Sequence, residues 1–266
     1  MGKRLKRHLS HIAHLWSQAR ALRLSPADTL RFIASDYGSR IGAANRTYTI
    51  RVEGSRVLLR SNAVDCKLLV EVFGGVYALP AKQRPKRIMD LGANIGLSAL
   101  YFHRQFPEAS IACIEPAPKN FSMLTRMVAL NALPATLFDC AIGPSAGSTA
   151  LYDTADPSCC TLLPNGESSD NQITVQLKTI PEIMEVLHWD RIDLLKIDIE
   201  GYERVVLRDN ADWLSRISCI VGEIHAGYDF AQLREDLGRY GFEITERRAI
   251  NEYGQGNFVA MSRVNS

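Results

Sequence analysis

Five ionisable side chains stand at two-residue spacing in two short apolar runs. The first is Leu195-Lys196-Ile197-Asp198-Ile199-Glu200-Gly201, and the second is Ile220-Val221-Gly222-Glu223-Ile224-His225. Along an extended strand every second side chain faces the same way. Lys196, Asp198 and Glu200 therefore project together if the strand persists that far, and Glu223 and His225 do the same. The two strands are expected to be neighbours. Burying carboxylates, an ammonium and an imidazole is costly unless they pair or bind something, so the cluster reads as functional. An imidazole titrates near neutral pH and suits removal of a proton from a hydroxyl. His225 is the candidate base, and Asp198, Glu200 or Glu223 would orient it or hydrogen-bond an acceptor. The bland alternatives are a structural ion pair for Lys196 and a satisfied strand-end histidine for His225. The same carboxylates could hold a divalent cation that acidifies the hydroxyl. Lys196, as an internal counter-charge, argues against a required ion, and no metal ligand is assigned.

A second group has the spacing of a cofactor pocket. Arg87-Ile-Met-Asp90-Leu-Gly92-Ala-Asn94-Ile-Gly96-Leu-Ser98 is a strand ending in an acid, then a glycine turn, then a helix start. Gly92 and Gly96 let the backbone turn sharply and approach a ligand, and a helix start offers free N–H groups. A dinucleotide fingerprint would place glycine at 94 and 97, but Asn94 and Leu97 stand there. A pyrophosphate needs the approach that the missing glycine permits, whereas a sulfonium cofactor with an amino-acid tail does not. Asp90 suits a bound ammonium group. Glu115-Pro116 closes the next apolar strand, and an acid at that place can accept both hydroxyls of a ribose. Asp139-Cys140 follows the third strand, placed to border an adenine.

These residues need a sheet whose strand ends converge. Strands are predicted at 87–91, 110–115, 135–139, 193–198, 217–223 and 257–262. Helices are predicted at 96–106, 118–131, 179–188, 202–209 and 230–240. Strands alternating with helices imply a doubly wound, mostly parallel α/β sheet. Phe242–Thr245 and Asn257–Met261, joined by a Gly254/Gly256 turn, suggest a terminal hairpin with an antiparallel last strand. Residues 144–172 are rich in Ser, Gly, Pro, Asp and Asn and read as a loop with one short strand, long enough for a substrate lid. Upstream, 46–60 reads as a β-hairpin around Gly54, and 64–79 as a helix ending near Gly74-Gly75. Residues 1–45 form a basic helical extension, with Ser25-Pro26 opening its second helix. The expected organisation is thus 1–45, 46–84 and a cofactor-binding domain over 85–266.

Composition sets outer bounds. The chain has 266 residues, 46% hydrophobic and 23% charged, with a net charge of +2. That is ordinary for a soluble globular protein and gives no general case for nucleic acid. Cys66, Cys113, Cys140, Cys159, Cys160 and Cys219 form no C-x-x-C pair or zinc spacing. Cys66, Cys113 and Cys219 sit in apolar surroundings and read as buried thiols, so a reducing, cytoplasmic compartment is expected. No apolar run approaches the roughly 20 residues of a membrane span. The basic N-terminus leaves open a peripheral contact with an anionic membrane or an acidic partner.

The motifs together resemble the FkbM-type branch of class I S-adenosylmethionine-dependent methyltransferases. The matching pieces are Asp90 to Ser98, Glu115-Pro116 with Asn120, Ala141-Ile142-Gly143, Leu195 to Glu203, and Glu223-Ile224-His225. Arg60 with Asp65, and the stretch ending Gly75-Val76-Tyr77, look like the segment that precedes this domain. The resemblance covers about residues 56–262. It implies a Rossmann-like methyltransferase fold, S-adenosylmethionine as donor, and usually a hydroxyl acceptor on a sugar, glycan or natural product. No Asn/Asp-Pro-Pro-Tyr/Phe run of the kind that lines many N-methyltransferase sites follows the fourth strand, which favours O-methylation. A nicotinamide-dependent oxidoreductase would account for Gly92 and Glu115 but not for Asn94 or the Asp198 cluster. A non-catalytic binding module of the same fold is the other alternative. The acceptor's identity and the oligomeric state are not written in these residues.

Overall fold

The computed structural model describes residues 2–38, 46–153, 160–162, 172–248, 251 and 255–263. Its contacts divide the chain into two compact units, 1–75 with 129–132, and 76–128 with 133–266.

The first unit opens with helices α1 (Gly2–Ala21) and α2 (Pro26–Gly38), continues through strands β1 (Thr47–Val52) and β2 (Ser55–Arg60), and includes helix α3 (Ala63–Phe73). The Ser25 hydroxyl accepts from Asp28 N at 3.1 Å, which caps α2 as its Ser-Pro start requires. β1 and β2 pair antiparallel around the two-residue turn Glu53-Gly54, both at positive φ. Asn62 caps α3 by accepting from Asp65 N, and buried Asp65 forms an ion pair with Arg60 at 2.8 Å. Leu15, Leu22, Phe32, Ile50, Val57, Leu59 and Leu69 are buried. On α1, Leu9 and Trp16 remain exposed. No helix among the described residues is long and apolar enough to cross a membrane.

The second unit follows the predicted alternation: β3 (Arg87–Leu91), α4 (Leu97–Gln105), β4 (Ser110–Ile114), α5 (Pro118–Asn131) and β5 (Ala135–Phe138). Then come β6 (Ala141–Ile142), β7 (Gly147–Asp153), β8 (Cys160–Thr161), β9 (Gln172–Lys178) and α6 (Ile180–Val186). The chain closes with β10 (Ile192–Ile197), α7 (Glu203–Arg208), β11 (Ile217–Ile224), α8 (Phe230–Gly238), β12 (Phe242–Arg248) and β13 (Gly256–Ser262). The main sheet runs β12-β13-β11-β10-β3-β4-β5. β11, β10, β3, β4 and β5 are mutually parallel, and β13 is antiparallel to both β11 and β12. This is a Rossmann-like doubly wound sheet with the expected antiparallel last strand. Its parallel strands are short apolar runs because helices cover both faces; Ile88, Met89, Leu91, Ile111, Leu194, Leu195, Ile197 and Ile220 are all essentially inaccessible. Reciprocal capping boxes, Thr179 with Glu182 and Asp229 with Gln232, fix the starts of α6 and α8.

Two readings of the chain need correction here. The 144–172 segment is not a loop with one short strand. Gly147–Asp153 pairs antiparallel with Gln172–Lys178 over six residue pairs, inside a second sheet of order β6-β9-β7-β8. Alternating Ile173, Val175 and Leu177 supply the apolar side of β9, and Val175 packs with Leu151, Ala117 and Ala141. Most of the rest of the suspected lid, Cys159 and the Gly254 turn lie outside the described residues. The second correction concerns Lys196-Asp198-Glu200. The strand ends at Ile197, so Asp198 and Glu200 do not share a face through strand alternation. A turn carries them, with Glu200 and Gly201 at φ 54° and 97°.

Candidate active site

The order of strands reverses at β3, with β4 on one side and β10 on the other. Ligands of such sheets bind beyond the carboxyl ends of the strands at this point. Register sets the first contact of the site. Asp90 and Lys196 are direct partners across β3 and β10, and both are buried. Lys196 Nζ lies 3.2 Å from Asp90 Oδ1 and donates to the carbonyls of Leu91 at 3.1 Å and Gly92 at 2.6 Å. The Asp90 Oδ1 contact is an ion pair without directed hydrogen-bond geometry, while Oδ2 accepts from the Ser98 hydroxyl at 2.5 Å. Burial disfavours the ammonium, but the charges of Asp90 and Asp198 outweigh it and hold Lys196 above its ordinary pKa. Asp90 thus faces the protein's own ammonium, that of Lys196.

The glycine loop is tied down from several directions. Gly92 N and Ala93 N both donate to Ile114 O at 3.0 Å. Gly92, Asn94 and Gly96 all have positive φ, at 74°, 49° and 93°. A Cβ on Gly92 would stand 1.9 Å from the Asp198 carbonyl oxygen, and one on Gly96 would stand 2.9 Å from Leu124 Cδ1. These glycines thus permit close approach of the protein's own backbone and core.

Glu115 braces the same loop. Its Oε2 accepts from Asn94 N at 2.8 Å, and Oε1 accepts from Ala117 N at 2.9 Å. Pro116, with no N–H of its own, stands between the carboxylate and that amide. Burial pushes the Glu115 carboxyl up, with these hydrogen bonds opposing. Glu115 Oε2 accepts one hydrogen bond, so its buried carboxylate keeps acceptor capacity that ligand hydroxyls would fill. In that respect the residues fit a ribose-bearing cofactor. Asp139 is exposed. Cys140 packs in the core with Met89, Ile114 and Ile180, and burial raises its thiol to about 11.

The second half of the site converges on one imidazole. His225, just past β11, is 9% exposed. Its Nδ1 lies 3.0 Å from Glu203 Oε1, and its Nε2 faces Glu200 Oε2 at 3.4 Å and Asp198 Oδ1 at 3.9 Å. Asp198 Oδ2 accepts from the Tyr77 hydroxyl at 2.7 Å. Glu203, wholly buried at the start of α7, also accepts from Ile199 N and Gly201 N, and so shapes the turn that delivers Asp198 and Glu200. Glu223 is half-buried on β11 opposite Asn257. Burial alone would lower the imidazole's pKa. The Glu203 hydrogen bond and the charges of Glu203, Asp198 and Glu200 outweigh it and push His225 up to about 10. In this arrangement His225 carries its proton at neutral pH and is no ready base there, unlike an imidazole at its ordinary value.

Two participants went unassigned in the sequence reading. Glu203 ends the Lys196–Glu203 motif and begins a helix, which was the available signal. Tyr77 lies far from that motif in sequence, and only the fold brings it to Asp198.

Residues 90–244 match the model of the Methyltransferase FkbM domain. This chain belongs to that family. It is 33% identical over 195 residues to Methyltransferase sdnD of Sordaria araneosa, spanning 61% of this chain and 75% of that one. It is 28% identical over 212 residues to 31-O-demethyl-FK506 methyltransferase FkbM of Streptomyces tacrolimicus, spanning 66% of this chain and 81% of that one. It is 27% identical over 145 residues to Hexuronic acid methyltransferase AglP of Haloferax volcanii, spanning 53% and 57% respectively. The matched segment runs from Asp90 through the whole Asp198–His225 constellation. The protein is therefore an FkbM-family methyltransferase, which removes the oxidoreductase reading.

Proposed function

We propose that this FkbM-family methyltransferase transfers the methyl group of S-adenosylmethionine to a hydroxyl on a sugar, glycan or natural product. The observation that carries the reading is the meeting, at the β3 switch point, of a braced glycine loop with the Asp198–Glu200–His225 cluster. The names of the relatives from Streptomyces and Haloferax, one for a demethyl-FK506 and one for a hexuronic acid, support that acceptor class.

In this reading Asp90, Gly92, Asn94, Gly96, Glu115 and Pro116 form the donor side. Glu115 receives the ribose hydroxyls, and Asp139 with Cys140 borders the adenine. S-adenosylmethionine, when bound, supplies an activated methyl on a sulfonium. The chain's own work is positioning, because attack needs nucleophile, carbon and sulfur in line. Asp198 and Glu200 accept the hydrogen bond of the incoming hydroxyl. Glu223 lines the same strand end, and His225, held by Glu203, keeps the two carboxylates in place.

Incubation of the protein with cell extract and isotopically labelled S-adenosylmethionine tests this. A labelled product one methylene heavier than its precursor, with the label on oxygen by fragmentation, is the expected result. Failure to bind S-adenosylmethionine in calorimetry would remove the donor assignment, and a label on nitrogen or carbon would remove the acceptor class.

A further inference from the structure

We infer that helix α1, with the start of α2, docks on an anionic lipid surface. The inference concerns the first compact unit alone and stands apart from the methyl-transfer reading.

Charge is one-sided on this part of the chain. Lys6, Arg7, Arg20, Arg23 and Arg31 are all exposed, and the acids of residues 6–38 are Asp28 and Asp36. Both acids are buried. Arg31 engages Asp28 at 2.9 Å, and His11 engages Asp36 at 2.7 Å. Helix α1 itself contains neither Asp nor Glu. Lys6, Arg7, Arg20 and Arg23 make no ion pair among the described residues. These cations face water uncompensated, and a surface of anionic lipid complements them.

Apolar side chains stand among the charges. Leu9 is 58% exposed and Trp16 is 48% exposed. At about 100° per residue, Leu9, Ala13, Trp16 and Arg20 fall within an arc of about 60°, and all four are exposed. Packing uses a different arc, on which Leu15, Ala19 and Leu22 are buried. The exposed Trp and Leu are what remains after the helix has packed. Leu and Trp beside Lys and Arg make up a helix that lies in a lipid interface. An indole, apolar with a single N–H, suits the boundary between headgroups and chains.

Beside that arc, α1 and α2 border a groove of about 710 Å3 lined by Trp16, Ser17, Arg20, Arg23, Leu24 and Thr29. Guanidinium forks match phosphate oxygens, so the groove has room and charge for a headgroup next to an inserted indole. An acidic protein fits this face less well. It would have to set an acid against each cation that interrupts the apolar arc, because a buried charge needs its own partner. A lipid surface supplies anions along the whole face. Arg and Lys heads stay among them while Trp16 and Leu9 insert.

Co-sedimentation of the full chain with phosphatidylcholine vesicles, with and without about 30 mol% phosphatidylserine, tests this. The wild type should bind the anionic vesicles at least about tenfold more tightly than the neutral ones in about 0.1 M salt. Most of that preference should vanish in about 0.5 M salt, where the reach of the charges falls below half. Arg20→Gln with Arg23→Gln should weaken anionic binding by about tenfold or more, and Lys6→Gln alone by about fivefold. Binding should shift tryptophan emission to the blue, and Trp16→Ala should remove that shift although Trp189 and Trp213 remain. These side chains are exposed, so each variant should melt like the wild type. Lys6→Gln keeps the test sound if another variant fails to fold. Equal binding to neutral and anionic vesicles, or anionic binding that all the variants retain, overturns the inference. Binding to poly-L-glutamate as tight as to the anionic vesicles, with the same loss in Trp16→Ala, also overturns it and puts an acidic protein in place of lipid.

Discussion

Lys196 and Asp90 face each other across adjacent parallel strands, 3.2 Å apart and both out of water. The pair does more than cancel charge, because Lys196 also donates to the carbonyls of Leu91 and Gly92, where strand becomes glycine loop. Removing one partner of a buried pair leaves the other uncompensated, at a cost of about 3–5 kcal/mol. Lys196→Met should lower the unfolding free energy by that amount in urea titration. It should also weaken S-adenosylmethionine binding in whatever fraction remains folded. A loss under about 1 kcal/mol would mean that the pair contributes no more than an exposed ion pair does.

Gly92 is required by its neighbour in the fold. A Cβ there meets the Asp198 carbonyl oxygen at 1.9 Å, and the residue holds φ 74°. Gly92→Ala must therefore part the glycine loop from the Asp198 segment or distort both. The expected outcome is at least a tenfold loss of S-adenosylmethionine affinity by calorimetry, together with a lowered melting temperature. An Ala variant that binds and melts like wild type would show that the loop tolerates this displacement.

The glycine run was legible because strand, turn and helix are local and their spacing is written in consecutive residues. Lys196–Asp90 was not, since pairing depends on the register between β10 and β3, and both residues alternate equally well in any register. The convergence on His225 was anticipated for the wrong geometric reason. The strand stops at Ile197, and a left-handed Glu200, with Glu203 gathering amides behind it, makes the turn that strand alternation was expected to make. The small sheet was missed because polar Ser, Thr and Gln outweighed the alternation of Ile173, Val175 and Leu177 in a turn-rich stretch.

Asp193 gives the fold an acid-sensitive brace. It accepts from Lys86 N at 3.0 Å, Arg87 N at 2.9 Å and Arg87 Nε at 3.4 Å, joining the starts of β10 and β3. Burial raises its carboxyl, but the Arg87 hydrogen bond and charge and the two amides outweigh that and hold it below the ordinary carboxylate value. A depressed folded-state pKa contributes stability that is present above the unfolded value and lost as pH falls through the folded one. Asp193→Asn should therefore cost about 1 kcal/mol at pH 7. Denaturation curves of the two proteins should draw together below about pH 3.8, the unfolded-state value. A gap that persists unchanged in acid would assign the loss to packing instead.

Tyr77 stands outside the family-matched residues, yet its hydroxyl holds Asp198 Oδ2 at 2.7 Å. Burial and the neighbouring Asp198 keep it a phenol well past its ordinary range, so it remains a donor at all working pH values. Its ring packs near Phe102, and Lys196 Nζ lies 5.4 Å from its centre. Tyr77→Phe keeps that packing and deletes one hydrogen bond. An ordinary structural hydrogen bond of about 1 kcal/mol would appear in stability alone. If Tyr77 positions Asp198 for the acceptor, kcat should fall about tenfold, since about 1.4 kcal/mol in the barrier is a factor of ten. The KM for the methyl donor should stay within about twofold, because interactions made only in the transition state lower kcat and leave donor binding alone. A variant that loses stability but keeps kcat would return Tyr77 to the core and leave Asp198 oriented by Lys196 and the Gly92 contact.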